Sequence, residues 1–141
     1  MKTLLLIPLL LLAGEVYAEN QDMQNDLFVV VTSDDSETQM MAMVLATQSL
    51  NQGVQVRVLL CGGGGYLATE GHESRVFQPA NRSPKELLSG LISNGVKVEV
   101  CGIFLPNRDL TETDLIDGVT AASPPEVAEY MRQEGVRYFT F

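Results

Sequence analysis

The chain contains two cysteines, and each directly follows a segment in which apolar and polar residues alternate. Val96–Val100 leads into Cys101 and Gly102, and Val54–Leu60 leads into Cys61 in the same way. Alternation with a period of two is typical of a β-strand with one buried face. Open α/β sheets place ligands and reactive groups at the carboxyl ends of their strands. The two segments therefore predict thiol chemistry at the end of a sheet. Gly102, which has no side chain, would let another group come close to the Cys101 sulfur.

Whether the two sulfur atoms can bond to each other depends on the order of the strands. If the two cysteine-bearing strands are neighbours, their ends lie about 4.8 Å apart, within the Cα–Cα range of a disulfide. If another strand lies between them, as in a flavodoxin-like order, Cys61 and Cys101 cannot bond without rearrangement. The residues alone leave both arrangements open, and the distinction matters because nucleophilic chemistry needs a free thiolate.

His72 and the glycine run Gly62–Gly65 are the other candidates for chemistry near the cysteines. The sole histidine of the chain, His72, could act as a base for Cys101, but a solvated loop residue is the simpler interpretation. The glycine run lacks the Lys-Ser/Thr of a phosphate-binding loop. We interpret it as an irregular, mobile loop that gives access to Cys61.

The remaining residues predict no cofactor and no metal site. No group of cysteine and histidine residues has the spacing of zinc ligands. Met40, Met41 and Met43 offer soft sulfur ligands of the kind that copper(I) binds. Methionines on a helix more commonly fill a core or an interface, and this is the interpretation we favour.

Composition indicates one acidic globular domain. The chain has 141 residues, of which 45% are hydrophobic, and a formal net charge of -9. This length suits a single domain. A nucleic-acid-binding protein normally presents a basic face, and an anionic membrane surface attracts basic segments. We therefore exclude nucleic acid and membrane surfaces as partners.

The N-terminal residues have the pattern of a secretory signal peptide. Lys2 precedes the apolar segment Leu4–Leu12, and Val16–Ala18 supplies the small residues of a cleavage site. The apolar segment is shorter than the roughly 20 residues of a membrane-spanning helix. We predict a signal peptide over 1–18, a flexible leader over 19–26 and one domain over 27–141, in a protein exported to the periplasm. In an oxidising compartment two cysteines form a disulfide by default.

Strand and helix patterns alternate along this domain. We predict strands over 27–31, 54–60, 96–100, 119–122 and 136–141, separated by helices. The first helix is capped by Asp34, the second begins at Ser83-Pro84, a short one covers 111–117, and the last turns Val127, Tyr130 and Met131 inward. Strand–helix–strand units imply parallel strands with right-handed crossovers. The fold class is α/β, a three-layer α/β/α sandwich around a five-stranded, mainly parallel sheet.

From Cys101 onwards the sequence resembles the DsrE/DsrF family of small sulfur-handling proteins. The similar residues are Cys101-Gly102, Leu105, Arg108, Leu110, Asp114-Leu115-Ile116, Gly118-Val119, Glu129-Tyr130 and Glu134-Gly135-Val136 through Phe141. The first strand, followed by Thr32-Ser33-Asp34 and a helix, also fits. The resemblance covers roughly 27–141.

The resemblance implies a five-stranded α/β sandwich that assembles as homotrimers or hexamers. It also implies that the functional cysteine follows the third strand and carries a persulfide in sulfur-relay members, a position that matches Cys101. The best-known members are cytoplasmic, so a signal peptide and the second cysteine, Cys61, would make this chain an exported variant.

Our leading hypothesis is an exported protein in which Cys101 accepts and passes on sulfane sulfur. Cys61 would be the partner thiol and Gly102 a binding residue beside the reactive sulfur, with a sulfur-donor or acceptor protein as a partner. Whether such a sulfurtransferase-like carrier is an enzyme stays open. The alternatives are a non-catalytic oligomeric binding module stapled by a Cys61–Cys101 disulfide, and a thiol oxidoreductase that cycles the pair.

Overall fold

A computed structural model describes residues 26–141; the predicted signal peptide and nearly all of the predicted leader lie outside these residues. The strands are β1 (Asp26–Val31), β2 (Val56–Leu60), β3 (Lys97–Val100), β4 (Val119–Ala121) and β5 (Val136–Thr140). The α-helices are α1 (Ser36–Asn51), α2 (Pro84–Ser93) and α3 (Pro124–Tyr130), and two 3-10 helices cover Gly62–Ala68 and Glu112–Asp114. Among residues 26–141, no helix has both the length and the apolar character needed to cross a bilayer.

The five strands form one sheet in the order β4-β3-β2-β1-β5, and all of its neighbouring strands are parallel. Helices α1 and α2 cover one face, where Met43 and Leu88 join the main core, while Val127 of α3 packs on the other face. This arrangement confirms the predicted α/β sandwich. Its most important consequence is that β2 and β3, which precede the two cysteines, are direct neighbours.

Local sequence explains how the first two helices begin. Ser83 and Glu86 form the expected reciprocal cap of α2, with Ser83 N donating to Glu86 Oε2 at 2.7 Å and Glu86 N donating to Ser83 Oγ at 3.2 Å. The predicted Asp34 cap of α1 is wrong by one residue. Asp35 is the cap, because its Oδ1 accepts from Thr38 N at 2.8 Å. This hydrogen bond lowers the pKa of the Asp35 carboxyl group.

The later helices are shorter than predicted. The segment 111–117 contains only the 3-10 turn Glu112–Asp114, and α3 ends at Tyr130. Val127 is buried as expected, but Met131 lies beyond the end of the helix and is 46% exposed. The prediction that Met131 faces inward is therefore wrong, because the helical period on which it rested ends one residue earlier.

An ion pair is buried on the face of the sheet that α3 covers. Arg57 Nε donates to Glu99 Oε2 at 2.9 Å, and the carboxylate also lies 3.1 Å from Lys97 Nζ. The Arg57 guanidinium lies 4.7 Å from the centre of the Tyr130 ring. Glu99 is only 2% exposed. The charges of Arg57 and Glu99 can be buried in this layer because each has a partner of opposite sign.

Replacing Glu99 by alanine is expected to lower the free energy of unfolding by about 3–5 kcal/mol, because Arg57 would stay buried without its counter-charge. The measurement is urea unfolding monitored by circular dichroism. Glu126→Ala is the matched control, since Glu126 is an exposed partner of Lys97 at 3.6 Å and such pairs contribute at most about 1 kcal/mol. Equal losses in the two variants would contradict the interpretation.

Candidate functional site at the carboxyl ends of β2 and β3

The two cysteines continue the parallel ladder just beyond the strands that precede them. Cys61 N donates to Val31 O at 2.8 Å, and Cys101 N donates to Leu60 O at 2.9 Å. These backbone bonds hold the two Cα atoms 5.2 Å apart, and the side chains form a disulfide. The structure therefore resolves the alternative that the sequence left open. The pair is bonded because β2 and β3 are neighbours, with no strand between them.

The disulfide lies at the surface, next to an apolar groove between the sheet and α3. Both cysteines are half-buried. The groove has a volume of about 250 Å³ and is lined by Leu59, Cys101, Gly102, Ala122, Pro124, Val127, Ala128 and Met131. Cys101 contributes to this lining and Cys61 does not. A small reactant could therefore approach Cys101 from the groove without unfolding the sheet.

Gly102 permits a close backbone contact beside the disulfide. A Cβ atom at this position would lie 2.9 Å from Ala122 O, which is closer than side chains tolerate. Ala122 N in turn donates to Val100 O at 2.8 Å. Gly102 thus lets the chain after Cys101 pass tightly over the end of β4.

The glycine run after Cys61 is a packed 3-10 helix, Gly62–Ala68, and our prediction of an irregular loop is wrong there. Leu67 and Ala68 are fully buried in the main core. A Cβ atom on Gly64 would overlap the backbone of Val31. Glycine is needed here because the helix lies directly against the end of β1. The sequence suggested a flexible loop because four successive glycines have no helical or strand periodicity. Their packing against β1, a segment distant in the chain, leaves no signal in the local sequence.

Arg108 connects the segments that follow the two cysteines. Its Nη2 donates to Gly62 O and its Nη1 to Phe104 O, each at 3.3 Å. The guanidinium carbon lies 4.3 Å from the centre of the Phe104 ring and 5.3 Å from that of Tyr66. Such stacking and hydrogen bonding hold the cation in one place. Sequence reasoning named Arg108 only as part of a family-like spacing and assigned it no role.

His72 lines a different pocket. This second pocket has a volume of about 370 Å³ and is lined by Tyr66, Thr69, Glu70, Gly71, His72, Leu110, Thr113 and Asp114. Neither cysteine contributes to it. The carbonyl of His72, like those of Thr69 and Glu70, accepts a hydrogen bond from Lys85 Nζ. The structure thus ties the His72 backbone to α2 and gives no support for His72 as a base at Cys101.

The methionines of α1 do not form a common site. Met43 is fully buried, whereas Met41 is 53% exposed. Within residues 26–141, no three side chains of His, Cys, Asp or Glu are grouped so that they could hold a metal ion.

A five-stranded parallel sheet with a cysteine pair at its carboxyl edge defines a small α/β protein whose sulfur atoms occupy the usual ligand position of such sheets. The chain belongs to the DsrE/DsrF-like family, whose model matches residues 25–141. This confirms the resemblance that the sequence indicated over roughly 27–141.

Two archaeal relatives and one solved structure show how far the similarity reaches. The chain is 27% identical over 115 residues to the uncharacterized protein MJ0760 of Methanocaldococcus jannaschii, covering 80% of this chain but only 42% of that relative. It is 28% identical over 113 residues to the uncharacterized protein MK0008 of Methanopyrus kandleri, covering 77% and 88% of the two chains. The crystal structure of the ychN protein from E. coli is similar with a TM-score of 0.70 at 20% identity, covering 83% of this chain and 99% of that one. This last similarity supports the fold.

Reduction of the disulfide is expected to lower the free energy of unfolding by about 4 kcal/mol, because the bond closes a loop with a sequence separation of 40 in the unfolded chain. Guanidinium unfolding with and without a reductant measures the change. The control is the double variant Cys61→Ser, Cys101→Ser. Its free energy of unfolding should equal that of the reduced wild type, and adding reductant should not change its unfolding curve. Identical unfolding curves for the oxidised and reduced wild type would contradict a stabilising bond.

Proposed function

We propose that this protein carries sulfane sulfur as a persulfide on Cys101, with Cys61 as the partner thiol. The observation that supports the proposal most directly is the bonded Cys61–Cys101 pair, half-buried at the carboxyl edge of the sheet. Sulfur relay is also the role implied by the resemblance to the DsrE/DsrF family. In this proposal the disulfide is a resting state from which the carrier can be loaded.

Loading can begin from the disulfide without an external oxidant. A hydrosulfide anion attacks Cys101 Sγ, a new sulfur–sulfur bond forms, and the Cys61–Cys101 bond breaks with its electron pair leaving on Cys61. The products are a Cys101 persulfide, which keeps the hydrogen of the hydrosulfide until it ionises, and a Cys61 thiolate. The groove along Cys101 supports attack at this sulfur rather than at Cys61, which does not line it.

Discharge has two outcomes that share the same persulfide. The thiolate of an acceptor protein can attack the outer sulfur, take it as its own persulfide and leave a Cys101 thiolate beside the Cys61 thiolate; this reduced pair is loaded again from a sulfane donor rather than from hydrosulfide. Alternatively, the Cys61 thiolate attacks Cys101 Sγ, which releases hydrosulfide and restores the disulfide. Cys61 therefore acts as a resolving thiol that returns an unused carrier to its resting state.

Exposure to hydrosulfide is expected to add one sulfur atom to Cys101. Intact-protein and peptide mass spectrometry after alkylation measures this addition. Cys61→Ser, loaded from a sulfane donor instead, should keep its Cys101 persulfide longer than the wild type because the resolving thiol is missing. Cys101→Ser is the control that should gain no stable sulfur. The absence of any persulfide on Cys101 under both loading conditions would overturn the proposal.

A second candidate function is a non-catalytic binding module in which the disulfide is only a staple. The same bond supports it, since both sulfur atoms are already satisfied. Thiol labelling separates the candidates: a staple stays unlabelled after hydrosulfide treatment, whereas a carrier exposes the Cys61 thiol. A thiol oxidoreductase, the third candidate, would instead cycle the pair with a reduction potential in the catalytic range and form no persulfide.

We also propose that the protein is exported to the periplasm by a signal peptide over residues 1–18, which is then removed. The disulfide supports export, because such bonds persist in oxidising compartments and are rare in the cytosol. N-terminal sequencing of the protein from a periplasmic fraction is expected to begin at Glu19. Recovery of an uncleaved chain in the cytosol would contradict this.

Homotrimers or hexamers are the assembly that we propose. Large apolar side chains that are at least two-fifths exposed support it, namely Met41, Leu45, Tyr66, Val76, Ile103, Met131, Tyr138 and Phe139. The last two lie on β5, which within the described part of the chain pairs only with β1 and forms one edge of the sheet. Size-exclusion chromatography with light scattering should give three or six times the mass of the mature chain. A purely monomeric mass would contradict the assembly.

A further inference from the structure

The apolar groove beside Cys101 is larger than an exchange with hydrosulfide requires. Its volume is about 250 Å³, whereas an apolar cavity of about 150 Å³ is enough to hold a benzene molecule. Hydrosulfide, whose only heavy atom is sulfur, would occupy a small part of this space. The groove therefore has room for an organic group of several carbon atoms next to Cys101.

The lining of the groove offers no partner to a charged group. Among residues 26–141, those that line it have no nitrogen or oxygen atom in their side chains. The backbone N–H groups of Cys101, Ala122, Val127 and Met131 are already used, since each donates to a backbone carbonyl at 2.8 to 3.0 Å. A carboxylate or phosphate placed here would lose its hydration without gaining hydrogen bonds, which is costly.

Helix α3 adds to this preference for an uncharged group. It begins with Pro124 and Pro125, and proline has no backbone N–H to donate to an anion. Glu126 and Glu129 are exposed on the same helix, and the chain as a whole has a net charge of -9. Anionic organic groups are therefore repelled from this side of the sheet, whereas apolar groups are not.

Met131 gives the groove an adaptable rim. Its backbone is held in place, because Met131 N donates to Val127 O at 2.9 Å and Met131 O accepts a hydrogen bond from the Tyr138 hydroxyl group. Met131 itself is 46% exposed. An unbranched, polarizable methionine side chain adapts to the shape of the group that it contacts. Met131 can thus cover an apolar group in the groove without a change in the backbone.

We propose that the groove binds the organic group of a small sulfane donor, a hydropersulfide R–S–SH in which R is uncharged and apolar. The proposal rests on the sulfur-carrier function and names the substrate class of its loading step. The Cys101 thiolate of the reduced pair attacks the outer sulfur of the donor, and a new sulfur–sulfur bond forms. The bond between the two donor sulfur atoms breaks, its electron pair leaves on R–S⁻, and the hydrogen stays on the transferred sulfur.

Alkyl methanethiosulfonates test the groove without requiring a persulfide. The Cys101 thiolate of the Cys61→Ser variant attacks the sulfur that carries the alkyl group, and methanesulfinate leaves with the electron pair. The leaving group is the same from the methyl to the butyl reagent, so differences in rate report the alkyl group. Each added methylene is expected to raise the second-order rate constant about two- to fourfold, because full burial of one methylene corresponds to about fourfold. Mass spectrometry of the intact protein measures the rates.

Cys101→Ser is the matched control, because its one thiol, Cys61, does not line the groove. Its rate constants should vary little along the alkyl series. The anionic sulfonatoethyl reagent should react with Cys101 no faster than the methyl reagent does. If the two variants do not fold by circular dichroism, the reduced wild type is treated with less than one equivalent of reagent and quenched in acid, and both cysteine peptides are quantified.

A lysine in the groove is expected to reverse the preference of Cys101. Ala128 lines the groove and is exposed, so Ala128→Lys in the Cys61→Ser background should keep the fold, favour the sulfonatoethyl reagent and slow the butyl reagent. Gln133→Lys adds the same charge at an exposed position outside the lining, and it should leave the dependence on alkyl length unchanged. The same reversal in both variants would show an effect of net charge and overturn the role of the groove.

Sulfur transfer itself is measured in the reverse direction, which passes through the same transition state as loading. The Cys101 persulfide of Cys61→Ser, prepared with inorganic polysulfide, is discharged by butanethiol or by 3-mercaptopropionate at equal thiolate concentrations. Butanethiol is expected to remove the sulfur faster. Equal rates would overturn the assignment of an apolar donor.

The outcomes distinguish the groove from the function on which it rests. If the rate constants at Cys101 do not rise with alkyl length, or rise equally at Cys61, the groove does not bind the organic group, whether or not a persulfide forms. If they rise at Cys101 alone and neither hydrosulfide nor polysulfide yields a persulfide there, the groove binds apolar sulfur compounds and the carrier function fails.

Discussion

The parallel pairing of β2 with β3 is the constraint on which the rest of the site depends. The hydrogen-bonded ladder aligns Leu60 with Val100, and the next residue of each strand is a cysteine. A register shift by one residue would turn one side chain to the other face of the sheet, and an intervening strand would separate the sulfur atoms by about twice the strand spacing. The disulfide is thus a consequence of strand order and register together, before its own contribution to stability is considered.

The segments after the two cysteines show how close packing and charge are combined at this edge. Gly64 lets the 3-10 helix lie against the end of β1, and Phe104 reaches the same region from the segment after Cys101, where it meets Tyr66 edge to face at 5.4 Å. Arg108 closes the arrangement by stacking on both rings. Through these contacts the segments that follow the two cysteines pack against each other.

The two faces of the sheet are stabilised in different ways. Helices α1 and α2 bury an apolar core, whereas the face under the short helix α3 combines Phe28 and Val127 with the buried Arg57–Glu99 pair. A seven-residue helix covers little area, so this layer relies on charge pairing and on the stacking of Arg57 near Tyr130. The thin cover also leaves the apolar groove beside Cys101 open. The small size of α3 therefore leaves open the approach to Cys101, the residue whose sulfur we propose to be reactive.

The sequence by itself determined the strands, the α/β class and the position of both cysteines at strand ends, because period-two alternation and capping residues such as Ser83 act locally. It also indicated Cys101 through its resemblance to the family. Only the tertiary structure decided the strand order, the Cys61–Cys101 bond, the packing of the glycine run and the position of Arg108. Each of these depends on contacts between segments far apart in the chain, such as the hydrogen bond from Arg108 to Gly62 O. Long-range contacts leave no periodic trace in a single sequence, and this is the physical reason for the division.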